Sequence, residues 1–105
     1  MIDESTIRRA VNLLHRAAPN AKILLFGSHA RGDAGPESDL DFLVVEPAVT
    51  SRRDEMVRLR DVLRPLRIPA DVLVVSAKTF EKWSDTPGTI IHEAATEGVL
   101  LNATA

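Results

Sequence analysis

Apolar residues open the chain at steps of three and four: Ile7, Ala10, Val11, Leu14 and Ala18, with Arg8, Arg9, Asn12 and Arg16 falling elsewhere. Side chains at that spacing share one helix face, so the pattern predicts an amphipathic helix over 4–18. Asp3 or Ser5 can cap its start, and Pro19-Asn20 stops it. The period then changes. Ile23 to Phe26 is apolar at every position, as in a strand interior to a sheet. Gly27 ends that strand, and Ser28 is placed to cap a short helix over 28–33. Asp33 to Ser38 reads as loop, with turn chemistry at Gly35-Pro36. Asp39 to Val45 is a second strand. Its period of two puts Asp39 and Asp41 on one face at its start.

Ser51 opens the longest predicted helix, with Asp54 three residues on. Met56, Leu59, Leu63 and Leu66 form its apolar stripe, and Pro65 limits the regular part to 51–64. Ile68 to Val75 is a third strand, with Asp71 just ahead of the apolar run. Ser76 or Thr79 caps a short turn carrying Phe80 and Trp83. Thr86-Pro87 suits a helix start with proline at the first position. That helix turns Ile90, Ile91, Ala94 and Ala95 inward and ends at Gly98. Val99 to Leu101 adds a last short strand. Helices alternating with strands predict one α/β layer structure.

At 105 residues, with 45% apolar and 27% charged residues, the chain has the size and composition of one globular domain. A net charge of −2 supplies no overall basic field, which argues against nucleic acid as the main partner. With no cysteine, disulfides and thiolate metal sites are excluded. The start, Met1-Ile2-Asp3-Glu4-Ser5, is acidic and lacks the apolar region of a signal peptide. No apolar run approaches the roughly 20 residues of a membrane span. The expectation is a soluble, cytoplasmic protein with no membrane partner.

One stretch changes this bland picture. Residues 23–45 hold two apolar strands flanking Gly27-Ser28, with Asp39 and Asp41 feeding the second. Such a layout suits a phosphate-and-metal site. Glycine lets a phosphate approach the backbone, and serine and helix N-terminal N–H groups donate to it. If the second and third strands are neighbours, Asp39, Asp41 and Asp71 converge on one sheet edge. Three hard oxygen donors suit Mg²⁺ or Mn²⁺ rather than zinc. Two such ions about 4 Å apart clamp an in-line phosphoryl displacement.

Gly27-Ser28, ten residues, then Asp39-Leu40-Asp41 resembles the signature of the DNA polymerase beta-like nucleotidyltransferase superfamily. The fuller strings Gly27-Ser28-His29-Ala30-Arg31-Gly32 and Ser38-Asp39-Leu40-Asp41 look most like its minimal nucleotidyltransferase (MNT) branch. Asp71 stands where that family keeps its third carboxylate. The resemblance implies a small mixed β-sheet with flanking helices, forming a single minimal nucleotidyltransferase domain over 1–105. It also implies roles: Asp39 and Asp41 bind the metals that hold ATP, and Asp71 serves the metal near the attacking hydroxyl. Gly27 and Ser28 hold the β- and γ-phosphates. No acceptor-binding domain is expected after residue 101, so the acceptor is expected to be bound by another chain or on a shallow surface. MNT proteins pair with HEPN toxins, helical ribonucleases, and some transfer AMP to a toxin tyrosine.

Several readings stay open at this point. The chain can be an enzyme of that kind, an antitoxin that neutralises by binding alone, or a transferase acting on a small molecule or RNA. Arg31 reaches a phosphate or pairs with Asp33 or Glu37. The six arginines Arg52, Arg53, Arg58, Arg60, Arg64 and Arg67 read as a solvated helix face, with a docking surface for an acidic partner or RNA as the alternative. His15, His29 and His92 lack a second ligand at metal spacing and read as structural or surface residues, although His29 lies inside the motif. Phe80 and Trp83 read as core or rim.

Overall fold

The computed structural model describes residues 2–101, so the expected span of 1–105 runs past them at both ends. Helix α1 (Glu4–Ala17) begins at Asp3, whose carboxylate accepts the Thr6 N–H at 2.8 Å. That bond satisfies one of the donors a helix start leaves unpaired, and it settles the cap on Asp3. Its inward stripe is Ala10, Val11 and Leu14.

Strands β1 (Lys22–Phe26), β2 (Leu40–Glu46), β3 (Ala70–Ser76) and β4 (Val99–Leu101) form one sheet in the order β3-β2-β1-β4. β1 runs antiparallel to β2 and β4, whereas β2 and β3 are parallel. The sheet is therefore mixed. A parallel pair needs a crossover, supplied here by α3 (Arg52–Leu63). β1 and β2 are the interior strands and β3 and β4 the edges, although the apolar run of β3 is as long as that of β2. His15 Nε2 stands 3.2 Å from the Leu101 carbonyl and donates to it, tying α1 to the edge strand β4.

The pleat sorts residues onto two faces. Ile23, Leu25, Leu40, Phe42, Val44, Val72 and Val74 pack with Leu14 of α1 and Leu59 and Leu63 of α3. Burying each of the large ones contributes about 1.5–3 kcal/mol. On the opposite face, Leu24, Phe26, Leu43, Val45, Leu73 and Val75 meet Phe80, Ile91 and Ala94. Those three come from α4 (Ala77–Trp83) and α5 (Ile90–Glu97). Odd-numbered positions of β2 and β3 lie on this second, more thinly covered face, and Asp41 and Asp71 are among them.

Several boundaries differ from expectation. α1, at 14 residues, is longer than α3 at 12. Pro65 does bound the regular helix, as expected: α3 stops at Leu63, and Pro65 sits in a short 3₁₀ turn, Arg64–Leu66, that closes with Arg67 at φ 51°. Residue 28 is not a cap: Gly27 occupies the capping position of the short helix α2 (Ser28–Arg31). The last helix starts at Ile90, capped by Thr89, which accepts the His92 N–H at 3.0 Å. Thr86-Pro87 instead forms a turn, because Gly88 at φ +88° cannot continue a right-handed helix. The later start leaves Ile90 and Ala95 exposed, while Ile91 and Ala94 face inward.

Two of the six arginines are not idle on the surface. The Arg58 guanidinium grips Glu55 at 2.6 and 2.7 Å and donates to the Ala17 carbonyl at 2.9 Å, tying α3 to the end of α1. Arg52 donates to the Val74 carbonyl at 2.8 Å. Nearby, burial and the adjoining Glu55 carboxylate push Glu46 up to about 7, and one of its oxygens is buried without a hydrogen bond. Glu55, held first by Arg58 and then by Glu46, falls to about 2. No helix among the described residues is long and apolar enough to cross a membrane.

Candidate active site

Asp41 sits near the start of β2, paired across the sheet with Phe26 on one side and Asp71 on the other. Neighbouring strands lie about 4.8 Å apart, so in-register pairing brings the two carboxylates side by side on one face. Asp39, just ahead of β2, lies close enough for its charge to act on Asp41. Its position is fixed from both ends. On one side, His29 Nε2 lies 3.2 Å from the Ser38 carbonyl; since a carbonyl only accepts, that nitrogen carries the proton. On the other, the Leu40 N–H donates to the Pro69 carbonyl at 2.9 Å. The intervening loop is braced by Gly35 N–H donating to Ser38 Oγ at 2.9 Å. His29 is thus a strut for the aspartate segment.

Gly27 follows Phe26 and lies against Asp41. Its backbone, φ 77° and ψ −156°, is in a region open to glycine alone. A Cβ built there would strike Asp41 Oδ2 and come within 3.3 Å of its Cγ. The backbone requires glycine, and a Cβ would be admitted only by moving the Asp41 carboxylate. The turn it makes exposes the first N–H groups of α2, which have no intrahelical partner. Arg31, at the end of α2, pairs through Nε with Asp33 at 3.2 Å and through Nη1 with Glu97 of α5 at 3.7 Å. The expected alternative, Glu37, is not its partner.

The electrostatics are lopsided. Burial first, then the charges of Asp71, Asp39 and Glu93, hold the Asp41 carboxyl above the usual carboxylate range; His29 opposes this weakly. Glu93 is the residue that sequence reasoning missed. It lies on α5, some fifty positions from the motif, and only the packing of α5 over this face brings it within range. All-carboxylate donors with unbalanced negative charge fit a hard divalent cation such as Mg²⁺. Among the described residues, no three acidic or imidazole side chains are gathered closely enough to hold an ion as they stand. Asp39 and Asp71 are exposed and have room to turn toward Asp41, which is half-buried.

A family model for the nucleotidyltransferase domain matches residues 5–96. The chain belongs to that family. No protein of curated function matches it. Among solved structures, this nucleotidyltransferase domain resembles a toxin–antitoxin complex with AMP-PNP, at 23% identity and a TM-score of 0.60, covering 98% of this chain and 75% of the other. It also resembles a mutant of the MntA–HpeT toxin–antitoxin, at 25% identity and a TM-score of 0.59, covering 99% and 75%. A third is a tri-AMPylated HEPN toxin from Shewanella oneidensis in complex with MNT antitoxin. There the identity is 20%, the TM-score 0.55 and the coverage 98% and 74%. At 20 and 23% identity the first and third likenesses are likenesses of fold. The mixed sheet with flanking helices is the fold this nucleotidyltransferase domain was expected to have.

Proposed function

We propose that this nucleotidyltransferase domain transfers AMP from ATP to a hydroxyl, a tyrosine by preference, of a HEPN-type toxin, and is that toxin's antitoxin. The observation that carries the reading is the in-register Asp41–Asp71 pair with Gly27 pressed against it. The complexes it resembles, one bearing an AMPylated toxin and another AMP-PNP, support the partner and the nucleotide. Residues 1–105 contain no tyrosine, so a tyrosine acceptor lies outside them. Residues 1–105 act as one minimal catalytic domain, and an ATP-dependent, cysteine-free chain suits the cytoplasm.

Asp39, Asp41 and Asp71 would hold the cations, two Mg²⁺ or Mn²⁺ in their place. When bound, these neutralise phosphate charge and acidify the acceptor hydroxyl. Gly27 and Ser28 receive the β- and γ-phosphates through backbone N–H groups and the serine hydroxyl. Arg31 leaves Asp33 and Glu97 to add positive charge there. The acceptor oxygen forms a bond to the α-phosphorus while the bond to the α,β-bridging oxygen breaks. Pyrophosphate departs with that electron pair, and the hydroxyl proton passes to Asp71 or to water. No covalent enzyme intermediate arises; positioning and charge stabilisation supply the rate.

Intact-mass measurement of the toxin after incubation with this chain, ATP and Mg²⁺ tests the reading. The expected result is a gain of one or more AMP units, lost in Asp39→Asn and Asp41→Asn. A wild-type chain that leaves the toxin's mass unchanged yet neutralises it, with both variants neutralising equally well, would establish binding alone.

A further inference from the structure

The face that carries the carboxylates also carries a cleft of about 620 Å³, whose lining includes Leu43, Leu73, Val75, Trp83, Ile90 and Ile91. Neither Asp41 nor Asp71 lines it. Its floor is nonetheless continuous with theirs: Leu43 and Leu73 are a register pair on β2 and β3, two residues beyond the Asp41–Asp71 pair. That step is about 6.6 Å along the strands, close to the length of a tyrosine side chain. Volume and apolar lining are those of a site that takes up a small molecule or a few side chains.

Which occupant belongs there follows from the sides of the sheet. Gly27 and Ser28 stand at the end of β1, on one side of Asp41. The cleft has its floor on β2 and β3 and its walls on α4 and the start of α5, and no residue of β1 lines it. In an in-line displacement the attacking oxygen and the leaving pyrophosphate oppose each other across the phosphorus. With pyrophosphate held on the β1 side, the acceptor arrives from the β3 side, where the cleft lies. Its rim exposes Trp83 at 39% and Ile90 at 54%, large apolar surfaces of the kind that anchor protein contacts.

We infer that this cleft receives an apolar segment of the partner protein and thereby presents the acceptor hydroxyl to Asp71. The inference rests on the transfer reading above and adds where the acceptor docks.

Trp83→Ala and Ile90→Glu test it, since both side chains are exposed and neither is needed for the core; a glutamate also suits the first position of α5. Circular dichroism melts confirm the fold of each variant. Toxin affinity is measured by calorimetry, AMP-PNP affinity by the same method, and AMP transfer by mass. The expected result is toxin affinity at least tenfold weaker, a raised KM for the toxin with kcat little changed, and AMP-PNP affinity within about twofold of wild type. Unchanged toxin affinity in both variants overturns the inference while leaving transfer standing. A tenfold loss of AMP-PNP affinity with toxin binding intact also overturns it and assigns the cleft to the nucleoside. If wild type binds the toxin through the cleft but transfers no AMP, the transfer reading and the acceptor role fall, and the docking surface stands. If wild type does not bind the toxin at all, both are overturned.

Discussion

Replacing Gly27 by alanine separates backbone strain from displacement of a carboxylate, provided Gly32→Ala is made alongside. Both glycines have positive φ, +77° and +83°, but only Gly27 faces a side chain; nothing lies within 4 Å of a Cβ at Gly32. Alanine at Gly27 enters a glycine-only region, costing about 2 kcal/mol at mid-range. For a domain of this size that lowers the melting midpoint by roughly 8–16 °C. Alanine at Gly32 enters the left-handed helical region, costing about 1 kcal/mol and roughly 4–8 °C. The collision with Asp41 Oδ2 adds little to instability, because the end of a short side chain can swing aside. Its consequence is positional. The carboxylate must retreat by about an ångström, and misplacement on that scale costs about a hundredfold in rate. Circular dichroism melts and AMP incorporation into the toxin at 25 °C, below both midpoints, read the two effects separately. Gly32→Ala is expected to keep most of its activity and Gly27→Ala about one per cent. Transfer by the two variants within about threefold of each other would refute the reasoning, since it would show that the Asp41 position does not matter.

Asp41→Asn is expected to raise the melting midpoint while abolishing transfer, because it removes a partly buried charge crowded by Asp71, Asp39 and Glu93; a lower midpoint would contradict this. The Glu46–Glu55 pair sets a pH dependence. Glu46, at about 7 in the folded chain against 4.5 ordinarily, contributes stability that is full below 4.5 and is lost as pH rises through 7. Glu55, lowered from 4.5 to about 2, contributes stability present above 4.5 and lost as pH falls toward 2. Wild-type midpoints should therefore decline from pH 5 to pH 8, and Glu46→Gln should flatten that limb; parallel curves for the two proteins would rule the assignment out. Arg31→Ala removes two exposed ion pairs of small energetic weight, so the melt should barely move while KM for ATP rises. An unchanged KM would confine Arg31 to its contacts with Asp33 and Glu97.

Much of this arrangement is legible in the residues alone, for local reasons. The three-and-four spacing of Ala10, Val11 and Leu14 marks α1, and the run Ile23–Phe26, apolar at every position, marks β1 as interior. The spacing of two keeps Asp39 and Asp41 together at the start of β2 without any knowledge of the sheet. The Asp41–Asp71 pairing needed one further fact, that β2 and β3 are neighbours, which a helical crossover makes natural. Other features depend on non-local contacts. Glu93 enters the site through the docking of α5, and Arg31 finds Glu97 for the same reason. Thr86-Pro87 carries a strong local signal for a helix start, and the positive φ at Gly88 overrides it, so α5 begins at Ile90. Ser28 suits a cap by its side chain, whereas the turn against Asp41 places the capping position on Gly27.

The pairing of β4 with β1 bears on how the chain is made. Ile23 pairs with Leu101, so the outer edge of β1 finds its partner only after 78 further residues have been synthesised. At 5–20 residues per second, that is roughly 4–16 s during which one interior strand presents open N–H and C=O groups to its surroundings. The β1–β2 hairpin, with its local contacts, can form early in that interval. A ribosome-bound chain therefore passes through a state with a three-stranded sheet at most and an unprotected Ile-Leu-Leu-Phe edge. Pairing with Val99–Leu101 covers that edge of β1 and moves the sheet's open edge out to β4.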